Sequence, residues 1–136
     1  MIGLDTNAFL RWLAADALPA ADAPQVEAVA RLLGAGEADP VFISDVVLAE
    51  TVWTLARRMG QSRAEIGAVL GAILEEPRIR LERPDAVAEA RAAYILGGPG
   101  FADHLIGGLG RIAGCRTTFT FDRRAATLST FTAIDV

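Results

Sequence analysis

An α/β fold built on a mostly parallel sheet of about five short strands is what the sequence predicts, on three observations. Short apolar or β-branched runs alternate with helical patterns from Met1–Leu4 to Thr130–Ile134. The helical stretches between them carry capping residues at their starts and Gly or Pro at their stops. Hydrophobic residues make up 52% of the 136 and charged residues 22%, enough apolar surface for a packed interior and too little charge for a disordered chain. Short strands separated by helices imply parallel crossovers, with helices on both faces of the sheet. The length suits one compact domain over 1–136, with no repeats, low-complexity segments or linkers.

Met1–Leu4 reads as a strand, Asp5, Thr6 and Asn7 as a turn, and Ala8, Leu10, Trp12 and Leu13 as the helix that continues from it. Asp22 before Pro24 predicts an N-cap followed by an early-helix proline, with Val26, Val29, Ala30 and Leu33 as the stripe and Gly34 as the stop. Val41–Ile43 is a brief β-type run, and Ser44 or Asp45 caps the helix DVVLAETVWTLARR, which ends at Gly60. Ser62 and Glu65 have capping-box spacing, Ile66, Val69, Leu70, Ile73 and Leu74 mark the buried face, and Pro77 closes that helix. Arg78–Leu81 alternates like a half-buried strand. Pro84 opens a helix through Ala93 to Leu96, which Gly97, Gly98, Pro99 and Gly100 break. Phe101–Ala113 reads as a helix, Thr117–Phe121 as a strand, Asp122–Leu128 as a short helix and Thr130–Ile134 as the last strand.

All 13 basic residues are arginine. The absence of lysine removes P-loop ATPases, Schiff-base enzymes, haloacid-dehalogenase-type phosphatases and response-regulator receivers, each of which needs a lysine at phosphate or carbonyl. A net charge of -4 argues against a broad basic face, so a polyanion has to be met by local arginines or by a metal. Cys115 has no internal disulfide partner, and with the single His104 it cannot complete a four-ligand zinc site. No apolar run reaches the roughly 18 residues that span a bilayer, and Asp5 and Arg11 interrupt what a secretory signal would keep apolar. No membrane association and a cytoplasmic location are therefore expected.

Four acids stand out by position: Asp5, Glu50, Asp103 and Asp122. Asp5 and Asp122 each follow a predicted strand and precede a predicted helix, where aspartate also serves as an N-cap. Asp103 falls in the first turn of its helix, where the helix dipole favours negative charge in any case. Glu50 is spaced with Val46 and Trp53 on a stripe that reads as apolar, where an unpaired carboxylate is costly. Its structural alternative is an ion pair with Arg57 or Arg11.

As a set, the acids suggest more than they do singly. Ligands in parallel α/β sheets gather at the carboxyl ends of strands, where Asp5 and Asp122 fall. Carboxylates within a few ångströms of one another repel unless protonated or neutralised by a cation, and hard oxygen ligands select Mg²⁺ or Mn²⁺. Such an ion activates water for phosphodiester cleavage. Metal-free RNA cleavage normally uses a paired base and acid, commonly two histidines or a histidine with lysine support, and the chain has one histidine and no lysine.

The segments MIGLDTNAFLRWL, FISDVVLAETVWTL, GFADHLIGGL and TFTFDRRAATL, in this order and spacing, resemble the PIN-domain ribonucleases, most closely the VapC toxins of bacterial toxin-antitoxin pairs. The resemblance covers essentially the full chain. It implies a small α/β/α sandwich and a Mg²⁺-dependent endoribonuclease, with Mn²⁺ as an alternative ion. The RNA substrate would be single-stranded or structured and cut by metal-activated water to leave 5′-phosphate ends. It also implies a VapB-like antitoxin and a homodimer. Carried over by matching position, Asp5, Glu50, Asp103 and Asp122 form the catalytic quartet, Asp5 and Asp103 are the direct metal ligands, and Thr6, Asn7 and Thr120 orient carboxylates or water. For Thr120 the alternative is a strand hydroxyl satisfying nearby backbone.

Two positions depart from the pattern. Gly100 stands where many relatives carry a further aspartate, so one ion per site is the expectation. His104 follows Asp103 where a small residue is usual, and is read as a packing residue outside the catalytic set. Arg11, Arg123 and Arg124 are candidates for gripping phosphate, or else belong to a solvated helix face. Trp12 and Trp53 are expected in the core, with a dimer or antitoxin surface as the alternative. Two other functions compete with the nuclease. One is a non-catalytic RNA- or protein-binding module whose acids are only caps. The other is a metal-dependent phosphatase, which would lack its lysine and its second aspartate, since Asn7 stands there.

Overall fold

The computed structural model describes residues 1–35 and 39–136. Strands β1 (Ile2–Gly3), β2 (Val41–Ile43) and β3 (Ile79–Leu81) form one parallel sheet in that order. Ile2 stands opposite Val41, and Val41 opposite Ile79. Strands β4 (Thr118–Thr120) and β5 (Phe131–Ala133) form a second parallel pair, Thr118 opposite Phe131. The expected α/β class with a parallel sheet is found. The five strands divide into ladders of three and two, and all of the pairings are parallel.

Helices α1 (Thr6–Leu13) and α2 (Ala23–Ala35) lead from β1 to β2, α3 (Asp45–Arg57) and α4 (Arg63–Glu75) from β2 to β3, and α5 (Pro84–Tyr94) and α6 (Phe101–Ile112) from β3 to β4. The core gathers where these helices meet the first sheet. Val41 and Ile43 are fully enclosed, as are Phe9, Leu48, Leu55, Leu70 and Val87. Burying each of these side chains contributes about 1.5–3 kcal/mol before chain entropy is counted. No helix among the described residues is long and apolar enough to cross a membrane.

The capping signals account for where the helices start. Ser44 Oγ accepts from the Val47 amide at 3.2 Å to open α3. Ser62 and Glu65 form a reciprocal capping box at α4, the Ser62 hydroxyl accepting from Glu65 N at 3.1 Å and the Glu65 carboxylate from Ser62 N at 3.0 Å. Pro84 stands in the first turn of α5.

Several expectations are corrected. Asp22 does not cap α2. It closes a 3₁₀ turn over Ala20–Asp22 that runs directly into the helix, and its carboxylate takes an ion pair from Arg11 at 3.3 Å. Gly34 lies inside α2, because the absent side chain leaves its helical hydrogen bonds intact and costs only about 1 kcal/mol. The segment expected as a short helix over Asp122–Leu128 is a 3₁₀ turn over Ala125–Thr127. The face of α3 carrying Val46, Glu50 and Trp53 looks outward: Val46 is 67% exposed and Trp53 55%. The buried face of that helix is Leu48, Thr51, Val52 and Leu55, so the apolar residues read at 46 and 53 belong to solvent. Trp12 is half-buried, edge-on to Phe9 at 6.3 Å, as a core tryptophan would be.

Candidate active site

Asp5 follows β1 and caps α1, its Oδ1 accepting from the Ala8 amide at 2.9 Å. Asp122 follows β4 and closes a turn, its Oδ1 accepting from Arg124 N at 2.7 Å and Ala125 N at 3.1 Å. The capping read for Asp5 is thus present, whereas Asp122 caps no helix, because only a 3₁₀ turn with Arg124 at its N-cap position follows. Among the described residues the hydrogen bonds to each carboxylate run to Oδ1. Thr120 Oγ1 accepts from the Asp122 amide at 2.9 Å, so it shapes the turn that presents this carboxylate.

Glu50 and Asp103 are not caps. Glu50 is exposed on α3, and its Oε1 accepts from the Thr6 hydroxyl at 3.1 Å. Neither Arg57 nor Arg11 pairs with it; among the described residues the ion pairs join Arg11 to Asp22, Arg83 to Asp85 and Arg111 to Glu89. Asp103 is half-buried in the first turn of α6, whose N-cap is Gly100. Burial pushes its carboxyl above the ordinary range, and the negative charge of Asp122 pushes it further the same way.

The pocket that joins these elements has a volume of ≈ 500 Å³. Thr6 and Asn7 from α1, Glu50, Trp53 and Thr54 from α3, Arg58 beyond it and Ala102 from α6 line it. The fold therefore produces two pairings: Thr6 with Glu50 in this pocket, and Asp103 on α6 with Asp122 in the turn after β4. It does not close them into a cage: among the described residues no three Asp, Glu, His or Cys side chains stand together as a ready metal site.

The arginines divide differently from the expectation. Arg11 is committed to structure, donating to Gln25 Oε1 at 2.8 Å and the Asn7 carbonyl at 3.2 Å besides its pair with Asp22, so it is not a free phosphate ligand. Arg124 donates to the Gly98 carbonyl at 2.7 Å. Arg123 and Arg124 are both exposed, and no side-chain hydrogen bond or ion pair is seen for Arg123 among the described residues. Arg58 lines the pocket with its guanidinium 5.9 Å from the centre of the Trp53 ring, a pairing that helical spacing does not announce because Arg58 is already the C-cap.

His104 packs as read. It is 8% exposed, edge-on to Tyr94 at 6.4 Å, and burial holds its imidazole below the usual range. At Gly100 a Cβ would meet open space, so nothing in the packing excludes a side chain there.

The donor chemistry fits a hard divalent cation. All four acids offer oxygen, and after burial it is the repulsion from Asp122 that raises the Asp103 carboxyl, a repulsion that a cation there would relieve. The fit is one of chemistry and of paired carboxylates, without a preformed coordination shell. No curated protein and no solved structure matches the chain. The PIN domain, commonly a metal-dependent nuclease module, matches residues 2–129. With nearly its whole length so matched, the chain belongs to the PIN domain family.

Proposed function

We propose that the chain is a Mg²⁺-dependent endoribonuclease toxin of the VapBC type, hydrolysing RNA phosphodiester bonds, with Mn²⁺ able to substitute. The observation that carries the reading is the exposed Glu50, tied by Thr6 into the pocket that α6 also lines, together with the half-buried Asp103 in the first turn of α6 and the Asp122 charge that acts on it. A non-catalytic module accounts for the capping by Asp5 and the turn at Asp122. It leaves Glu50 and Asp103 without a purpose.

In this reading Asp5 and Asp103 are the direct ligands, with Glu50 and Asp122 completing the quartet. A bound Mg²⁺ or Mn²⁺ supplies charge neutralisation at the phosphodiester and a water of lowered pKa. Thr6 fixes the Glu50 carboxylate, the turn at Thr120 fixes Asp122, and the N-terminus of α6 presents Asp103. Asn7 lines the pocket and offers an amide to water or phosphate. Arg123 and Arg124, both exposed and next to Asp122 in sequence, are the candidate phosphate ligands. The cellular role adds a cytoplasmic location, a homodimer and a VapB-like antitoxin that inserts an arginine toward the four acids.

The test is cleavage of a mixed single-stranded RNA by antitoxin-free protein with Mg²⁺, Mn²⁺ or EDTA, beside Asp5→Asn prepared identically. Cutting that needs the metal, leaves 5′-phosphate ends and disappears in the variant is expected. A folded protein that neither cuts nor binds Mn²⁺ by calorimetry returns the acids to the role of caps.

A further inference from the structure

Trp53 is the feature that the four acids do not explain. Tryptophan is highly buried on average, yet here 55% of it faces solvent. It stands one turn after Glu50 on the same helix face, a rise of about 4.5 Å, and both line the ≈ 500 Å³ pocket. The walls around it mix polar and small apolar side chains: Thr6, Asn7, Thr54 and Arg58 with Ala49 and Ala102. The Arg58 guanidinium lies 5.9 Å from the ring centre, a cation beside an aromatic face.

An occupant of this pocket has to satisfy three demands at once. It must stack on an indole, tolerate or seek a guanidinium, and pass the Glu50 carboxylate one turn away. A nucleobase with its own phosphate meets all three, since every base has a π-face and every phosphate accepts from arginine. Only an unpaired base can offer its face, because in a duplex both faces are covered by neighbours. Resting on the nuclease reading above, we propose that Trp53 and Arg58 form a nucleotide subsite: Trp53 stacks one unpaired base beside the scissile phosphate, and Arg58 holds the backbone of that nucleotide. Trp53 thereby sets a preference for single-stranded over duplex RNA.

The experiment reads binding apart from cutting. The chain has two tryptophans, so in Trp12→Phe protein the emission is that of Trp53. A short unstructured oligoribonucleotide is titrated into this protein with EDTA, and again with Ca²⁺. Saturable quenching by the single strand is expected, with at least about tenfold weaker binding of the same sequence annealed to its complement. A labelled oligonucleotide then measures affinity in chains that keep Trp12, so the test survives if Trp12→Phe folds poorly. There Trp53→Ala weakens binding about ten- to hundredfold, and Trp53→Phe restores most of it. With Mn²⁺ present, KM in Trp53→Ala rises by a larger factor than kcat falls.

Equal affinity of Trp53→Ala and the unsubstituted chain overturns the proposal, as does equal quenching by single strand and duplex. So does emission that follows protein concentration instead of RNA, which assigns this face to a second copy of the chain. Cutting without any Trp53 effect removes the subsite and leaves the nuclease. Single-strand quenching without cutting under any metal removes the nuclease and leaves the subsite as a binding platform.

Discussion

The Thr6 hydroxyl donates to Glu50 Oε1 across 3.1 Å, joining the first turn of α1 to the middle of α3 over 44 residues of sequence. The bond is exposed, so its contribution to stability is small, within about 1 kcal/mol. Its consequence is orientation, because it removes rotational freedom from a carboxylate in the pocket. Thr6→Val should leave the urea midpoint nearly unchanged and lower RNA cleavage about tenfold, the loss typical of a group that steadies a ligand. Thr6→Ser, which keeps the donor, should recover most of the rate in the same assay.

Asp103 is expected to show opposite effects on stability and activity. Burial and the nearby Asp122 disfavour its charged form, so the folded protein holds that proton more tightly than the unfolded chain does. The favourable term is full below the ordinary carboxyl value of 3.8 and is lost as pH rises through the raised folded value. In metal-free protein at pH 7, Asp103→Asn should therefore melt at a higher temperature than the unsubstituted chain. The difference should close as pH falls below 3.8, while cleavage with Mg²⁺ is abolished throughout. Thermal melts of the two proteins across pH 3–8 read this directly.

His104 titrates with the other sign. Buried between Tyr94 and the loop after α5, it is held below its ordinary value of 6.5 chiefly by loss of water, with the Arg63 charge adding to it. The unfolded chain takes up this proton first, so stability falls as pH drops through about 6.5 and levels off below the folded value. Urea midpoints between pH 8 and 5 should show that slope, and His104→Gln should remove it.

Arg63 ties α4 to the segment that follows α5. Its guanidinium donates to the carbonyls of Tyr94, Gly98 and Pro99 at 2.9, 2.8 and 3.0 Å and lies 4.3 Å from the centre of the Tyr94 ring. Arg63→Ala should cost about 2–3 kcal/mol in urea denaturation, since charged donors leave three carbonyls behind. Arg63→Lys should recover only part of it, because an ammonium cannot span three acceptors as a planar fork does.

Where local chemistry decides the outcome, the sequence was readable. Val41–Ile43 is a strand with the bounds read from its β-branched run, and the Ser62–Glu65 box forms with both of its bonds. The carboxylates at the ends of β1 and β4 follow from the same strand-to-helix pattern. Where tertiary partners decide, the reading failed. Asp22 had the right residue type and spacing for a cap, but Arg11 took its carboxylate and a 3₁₀ turn replaced the cap geometry. The stripe through Val46, Glu50 and Trp53 was apolar enough to look buried, and only the packing of Leu48, Val52 and Leu55 fixed which side of α3 faces inward. Arg58 joined the pocket through the chain's path beyond the helix, which periodicity does not describe.

Gly98 contributes a single carbonyl oxygen that receives Arg63 from α4 at 2.8 Å and Arg124 from the turn after Asp122 at 2.7 Å. Two donors match the two lone pairs of that oxygen. The carbonyl belongs to the Gly98–Pro99 peptide, and Gly97 and Gly98 before it are both at positive φ, so no bulkier residue would follow the path readily. The arrangement works as a rivet through three plates: α4, the Gly97–Gly100 loop that leads into Asp103, and the turn that carries Asp122. Moving any one plate loads the other two, so the spacing of the two acids is maintained at a peptide group that belongs to neither.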